Sequence, residues 1–146
     1  MKIRLKKSES HWVDLLDDKK PTGVKIKVDY PTLEQQDELD ELYTEAMGEA
    51  LKYAGELRKG NPDMGTDEIN LESAKYINVR KFNQVKRLTI RYALKDIDGS
   101  DEPLKVVDNM IDKDQWENIC QDRVLVNLLY SNIQEQISFT DIDKKK

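Results

Sequence analysis

A stripe of apolar residues sets the architecture of this chain. Leu39, Leu42, Tyr43, Ala46, Met47, Ala50, Leu51, Ala54 and Leu57 recur at helical spacing, which predicts an amphipathic helix over 31–60 with the stripe facing the core. Its start is marked twice. Pro31-Thr32 ends the preceding run, and Thr32 with Gln35 makes a capping-box pattern. Its end is marked by Gly60-Asn61-Pro62, with Gly60 placed at the C′ position. Eight acids stand against three bases in residues 31–60, four of them (Asp37, Glu38, Asp40 and Glu41) in the early turns, where negative charge suits the helix dipole.

The first thirty residues read as β structure. Ile3–Lys6 and His11–Leu15 are short apolar–polar runs, and Val24–Tyr30 alternates strictly, with its apolar members on one face. The Asp17–Gly23 turn cluster between them is too long for a two-residue hairpin, so the pairing of its flanking strands stays open. The outward lysines of the second run would protect a sheet edge.

After the acidic helix comes a loop, 61–72, and then a change of sign. Residues 73–95 contain no acid and seven bases: Lys75, Arg80, Lys81, Lys86, Arg87, Arg91 and Lys95. Phe82, Val85, Leu88 and Tyr92 fit a helix, while Leu88, Ile90, Tyr92 and Leu94 fit a strand. The absence of Gly and Pro and the length favour helix. The Asp96–Pro103 stretch is a turn. Residues 104–138 read as helical: a short helix over Leu104–Ile111, then a longer one carrying Trp116, Ile119, Cys120, Val124, Leu128, Leu129, Ile133 and Ile137 along one side. Residues 139–146 are a polar, frayed tail. The expectation is a single domain over 1–146, mainly α (α+β), with a small N-terminal β-hairpin or short sheet. No internal repeat interrupts it.

Chemistry is sparse. The 146 residues hold one cysteine, Cys120, and one histidine, His11, which excludes a disulfide framework and multi-Cys zinc sites. Cys120 falls on an apolar helix face and His11 beside Trp12, so neither suits nucleophilic catalysis. Asp96-Ile-Asp-Gly-Ser-Asp fails the EF-hand pattern, because Gly99 falls at the fourth position and Val107 at the twelfth. No phosphate loop or dinucleotide fingerprint is present. The expectation is no catalytic residue, no metal site and no cofactor. Bases number 24 and acids 29, a net charge of −5, which argues against a polybasic nucleic-acid or membrane binder. With no readable export signal or bilayer-length run, a cytoplasmic protein is expected.

Two sets of residues stand out as candidate partner-binding positions. In the last helix Val124, Leu125, Val126, Leu128, Leu129 and Tyr130 make an apolar belt wider than one packing face needs. Leu125, Val126 and Tyr130 are its expected outward members, unless the helix is central and buried on all sides. In the basic segment Arg80, Arg87 and Arg91 share a helical face. They can meet acidic surface of the same chain or of a partner, or contact nucleic acid with help from Tyr76, Phe82 and Tyr92.

The order of features also carries a family resemblance. Tyr30-Pro-Thr-Leu-Glu-Gln35 leads into the acidic helix, a central helix ends in Lys95-Asp-Ile-Asp-Gly99, a Pro-containing loop reaches Leu104, and a last helix is entered near Asp114-Gln-Trp116 before a Lys-rich end. Over roughly residues 20–146 this resembles the small tail assembly chaperones of long-tailed bacteriophages and related prophage proteins. The resemblance implies a non-catalytic protein of the bacterial host cytoplasm that coats the helical tape-measure protein before tail-tube subunits polymerise around it. Its implied partners are the tape-measure and tail-tube proteins, with a homo-oligomer as a further expectation. The alternative is a small phage or mobile-element regulatory protein that binds nucleic acid through residues 75–95.

Overall fold

A computed structural model describes residues 10–60 and 77–144. The Ile3–Lys6 run, the 61–72 loop, and Lys75 and Tyr76 lie outside the described residues. The architecture is α+β and mainly helical, as expected. The elements in chain order are β1 (His11–Asp17), β2 (Lys20–Val28), α1 (Leu33–Gly60), α2 (Val79–Ala93) and β3 (Leu94–Ile97). They are followed by β4 (Val106–Val107), β5 (Met110–Ile111), α3 (Lys113–Cys120) and α4 (Arg123–Lys144). Where the sequence suggests one domain, the contacts group into two compact units. One takes Met1–Gln36 and Lys86–Lys146, the other Asp37–Val85.

The first unit holds an antiparallel sheet in the order β1-β2-β3. The hairpin loop is shorter than the turn cluster suggests. Asp17 pairs with Lys20, leaving only Asp18 and Lys19 in the turn, at φ 50° and 65°. Positive φ at both positions is what a type I′ hairpin turn demands, here without glycine. Gly23, at φ 85°, takes a left-handed conformation inside β2, next to the register shift between Asp14 and Leu16. Because β2 is central, its lysines do not guard an edge.

The basic segment resolves both of its periodicities. It is helix to Ala93 and strand from Leu94, so Leu94 leaves the helix to pair with Val28. Ile26, Ile90, Ala93, Leu94, Ile111, Leu129 and Ile133 are fully enclosed, and with Leu15, Val28 and Val126 they form the core of this unit.

Residues 104–111 are not a helix. They form the short β4–β5 hairpin, turned by Asp108 and Asn109 at φ 54° and 60°. The helix after it is broken in two. Asp112 caps α3 by accepting from Gln115 N, and Asp122 starts α4 by accepting from Leu125 N at 3.1 Å. Helix α4 then runs to Lys144.

In the second unit, residues 37–60 of α1 meet the start of α2. Asn78 donates its N–H to the Ala46 carbonyl at 2.9 Å and caps α2 by accepting from Lys81 N at 3.1 Å. Lys81 bridges to Glu45 at 2.6 Å, and the Tyr43 and Phe82 rings lie 6.4 Å apart. Ala46, Ala50 and Val85 are its buried apolar residues among those described.

Candidate functional site

The apolar belt of α4 is largely core. Val126, 6% exposed, and Leu129 and Ile133 are buried, while Leu125, Leu128 and Tyr130 are half-buried against them. The expectation that Leu125, Val126 and Tyr130 point outward is therefore corrected. Helix α4 packs against both β1 and α3, so apolar residues on more than one side are used internally. Tyr130 is tied in further: its hydroxyl accepts from Gln134 Nε2 at 2.9 Å, and Lys86 Nζ sits 6.0 Å from its ring centroid. The outward member is Val124, at 77% exposure. The break at Gln121–Asp122 resets the helical phase, so a stripe counted straight through from Trp116 misplaces it.

The arginines do not form one solvent-facing stripe either. Arg91 donates from Nε to the Ile111 carbonyl at 3.1 Å, and its guanidinium lies 5.0 Å from the Trp116 ring centroid. Trp116 Nε1 in turn donates to the Arg87 carbonyl at 2.8 Å. These contacts fasten α2 to α3 and β5 in the first unit. Arg87 is half-buried. Arg80 is exposed in the first turn of α2 and belongs to the other unit. In the same segment Lys81 is paired with Glu45, and Lys86 donates to Asn127 Oδ1 at 3.1 Å.

A polar cluster joins the β2–α1 junction to the β4–β5 turn. Gln35 and Asn109 exchange two hydrogen bonds: Gln35 Nε2 to Asn109 O at 3.2 Å, and Asn109 Nδ2 to Gln35 Oε1 at 3.0 Å. Lys95 Nζ donates to Tyr92 O at 2.7 Å and to Asn109 O at 3.4 Å. Burial pulls the Lys95 amine down to about 8, against the opposing charge of Asp29. Gln35 is buried, and the Gln35 amide, Asn109 Nδ2 and Lys95 Nζ all bond to backbone or to a neighbouring amide. The cluster therefore reads as a polar fastening.

The cysteine behaves as the sequence suggests. Cys120 is half-buried at the end of α3, and burial pushes its thiol up, with Arg87 pulling down and Glu117 pushing up. A raised thiol pKa keeps it protonated and unreactive. In the failed EF-hand stretch, Asp96 Oδ1 accepts from Ile97 N at 2.9 Å and Leu104 N at 3.3 Å. Among the described residues no group of three or more His, Cys, Asp or Glu is placed to hold a metal ion. No helix among them is long and apolar enough to cross a membrane.

The surface that the sequence does not separate from core lies on α1. Tyr43, Met47 and Leu51, at i, i+4 and i+8, form an apolar ridge along one flank of the helix. Tyr43 is 43% exposed, Met47 half-buried and Leu51 58% exposed. Leu51, expected in the core, stands about 120° around the helix from the buried direction midway between Ala46 and Ala50. Both classes of residue obey the same periodicity, so the sequence alone merges them into one stripe. Comparison with known proteins adds no relative. No family model, curated protein or solved structure matches the chain.

Proposed function

We propose that this chain is a non-catalytic assembly chaperone of the long-tailed-phage type, which holds a helical segment of the tape-measure protein. The observation that carries the reading is the Tyr43–Met47–Leu51 ridge, apolar, with Tyr43 and Leu51 exposed and Met47 half-buried between them, on a helix of 28 residues that is otherwise strongly acidic. Apolar anchors at i, i+4 and i+8 are what one helix offers to another. The order of sequence features that resembles the tail chaperones supplies the identity of the client. The tail-tube protein is a second client on the same reading, and the bacterial host cytoplasm the place of action.

The nucleic-acid alternative finds less support. Of the basic segment, Lys81, Lys86, Arg91 and Lys95 all have partners within the chain. Phosphate binding would have to compete with those contacts.

Co-expression of the full chain with a tagged helical tape-measure segment tests the proposal. The wild type should co-elute with the segment, and a Tyr43→Asp, Leu51→Asp double variant should lose it while keeping its helical circular dichroism. Absence of any complex with the wild type, or a complex untouched by the double variant, defeats the reading. Salt-sensitive retention on an oligonucleotide column, lost on reversal of Arg80 and Arg87, would put the alternative in its place.

A further inference from the structure

The outer edge of β1 is closed at one end and offered at the other. The Lys25 carbonyl accepts from Asp98 N at 2.8 Å, so Lys25, and by alternation Lys27, direct their backbone polar groups toward β3. Their partners on β1, Asp14 and Trp12, sit in wide pairs whose N–H and C=O groups point away from β2. Leu16 also points outward, but there the chain closes its own edge. Asn132, buried on α4, accepts from Leu16 N at 2.9 Å and donates from Nδ2 to Leu16 O at 2.9 Å. Among the described residues nothing takes the equivalent role at Trp12 and Asp14.

Edge strands are ordinarily guarded by charged side chains, Lys above all, by Pro, by a bulge or by a covering element. In β1 the bulge falls beyond Asp14, and the Asp14 charge lies beside Lys25. The β1 sequence, His-Trp-Val-Asp-Leu-Leu-Asp, has no Lys, Arg or Pro. Trp12, on this edge strand, is 46% exposed.

We propose that β1 is a self-pairing edge. A second copy of the chain adds its own β1 antiparallel, about a two-fold axis at Val13, and joins two three-stranded sheets into one of six strands. The outward groups of Trp12 and Asp14 match those of a second copy. With Val13 on the axis, Trp12 of each copy meets Asp14 of the other in two narrow pairs. The ladder then ends where Asn132 closes Leu16. The two Trp12 indoles become diagonal neighbours on one face, within reach of each other. Each Asp14 stays beside its own Lys25 across β1 and β2, and no like charges face each other directly. An isologous contact of this kind needs no other molecule to supply the matching strand.

Sedimentation equilibrium of the full chain from about 10 µM to about 1 mM tests this. The wild type should show a monomer–dimer equilibrium. Trp12→Lys removes the indole pair and places a charge on the edge. Asp14→Pro removes an outward N–H that makes no hydrogen bond among the described residues, so the ladder to β2 is kept. Each should weaken dimerisation by at least about tenfold, with circular dichroism unchanged. If Asp14→Pro fails to fold, Trp12→Lys decides alone. A wild type that stays monomeric across the range overturns the proposal. So does a dimer unmoved by Trp12→Lys, since that dimer would use another face.

Discussion

The two units bury apolar surface in different ways. The first encloses large aliphatic side chains from the sheet, the β4–β5 hairpin, α2 and α4: Ile26, Ile90, Leu94, Ile111, Leu129 and Ile133 are all fully buried. The second, among its described residues, buries two alanines and a valine, Ala46, Ala50 and Val85, while Tyr43, Leu51 and Val79 stand in solvent. A helix with small residues inside and large ones outside gains little from its own packing, since hydrophobic stabilisation follows the apolar area removed from water. The difference separates a unit fastened by a closed aliphatic core from one that, among its described residues, leaves Tyr43, Leu51 and Val79 exposed.

The sharpest way to break that comparison is to delete the same chemistry from both units. Leu129→Ala should cost about 2–5 kcal/mol, the range for a fully buried leucine with its cavity. Leu51→Ala should change stability by no more than about 0.5 kcal/mol, as for an exposed position away from special features. Urea denaturation of both variants measures this. Equal losses would mean that Leu51 is covered in solution and that the two units are alike.

Asn132 should give the next largest effect. Its amide satisfies both backbone groups of Leu16 and also donates to Leu128 O at 2.8 Å. Asn132→Ala leaves those groups without their partner in a half-buried setting, at a cost of about 1–3 kcal/mol. Asn132→Asp should lose the two donated bonds and keep the one accepted from Leu16 N, and so fall between wild type and Ala. If Asp and Ala destabilise equally, the donated bonds carry the whole contribution.

Both the successes and the failures of the sequence reading follow from how local each signal is. The capping box is purely local, and the structure has both of its bonds: Thr32 N to Gln35 Oε1 at 3.0 Å and Gln35 N to Thr32 Oγ1 at 3.2 Å. The hairpin turns are local as well but were hidden. Asp18-Lys19 and Asp108-Asn109 adopt left-handed conformations without the glycine that usually marks them. The break before α4 rests on one side chain, Asp122, inside an otherwise continuous helical pattern. The candidate site was the least legible. Periodicity finds which residues share a helix face, but the sequence does not say which flank the rest of the protein covers. For the same reason periodicity alone places Val126 outward and Leu51 in the core, and each is the other way round.

Lys95 offers a pH test of the first unit. Its amine has a pKa of about 8 in the fold, down from 10.5. Between those values the unfolded chain binds more protons at this residue than the folded chain does. Stability contributed by this group therefore rises with pH from about 8 to 10.5, as the cost of burying the charge is lifted. Other groups titrate in the same window, so the measurement is a difference. Urea midpoints across the window should climb less, or fall more, in Lys95→Met than in wild type. Parallel curves would mean that the amine stays solvated when folded.

The smallest effect is expected where the second unit looks most tightly joined. Lys81 and Glu45 lie 2.6 Å apart, yet their side chains are 40% and 54% exposed. An ion pair so open to water is screened by salt and orders two long side chains, and such pairs contribute about 0–1 kcal/mol. Glu45→Gln should therefore shift the urea midpoint barely, and less still at high salt. The same substitution also removes one of eight acids from residues 31–60, relieving repulsion from Glu41 and Glu49 at i−4 and i+4. That relief opposes the loss of the pair and brings the net effect close to zero. A loss well above 1 kcal/mol, undiminished by salt, would show that the short contact is shielded from solvent. The second unit would then be held by a buried charge pair where the first is held by its aliphatic core.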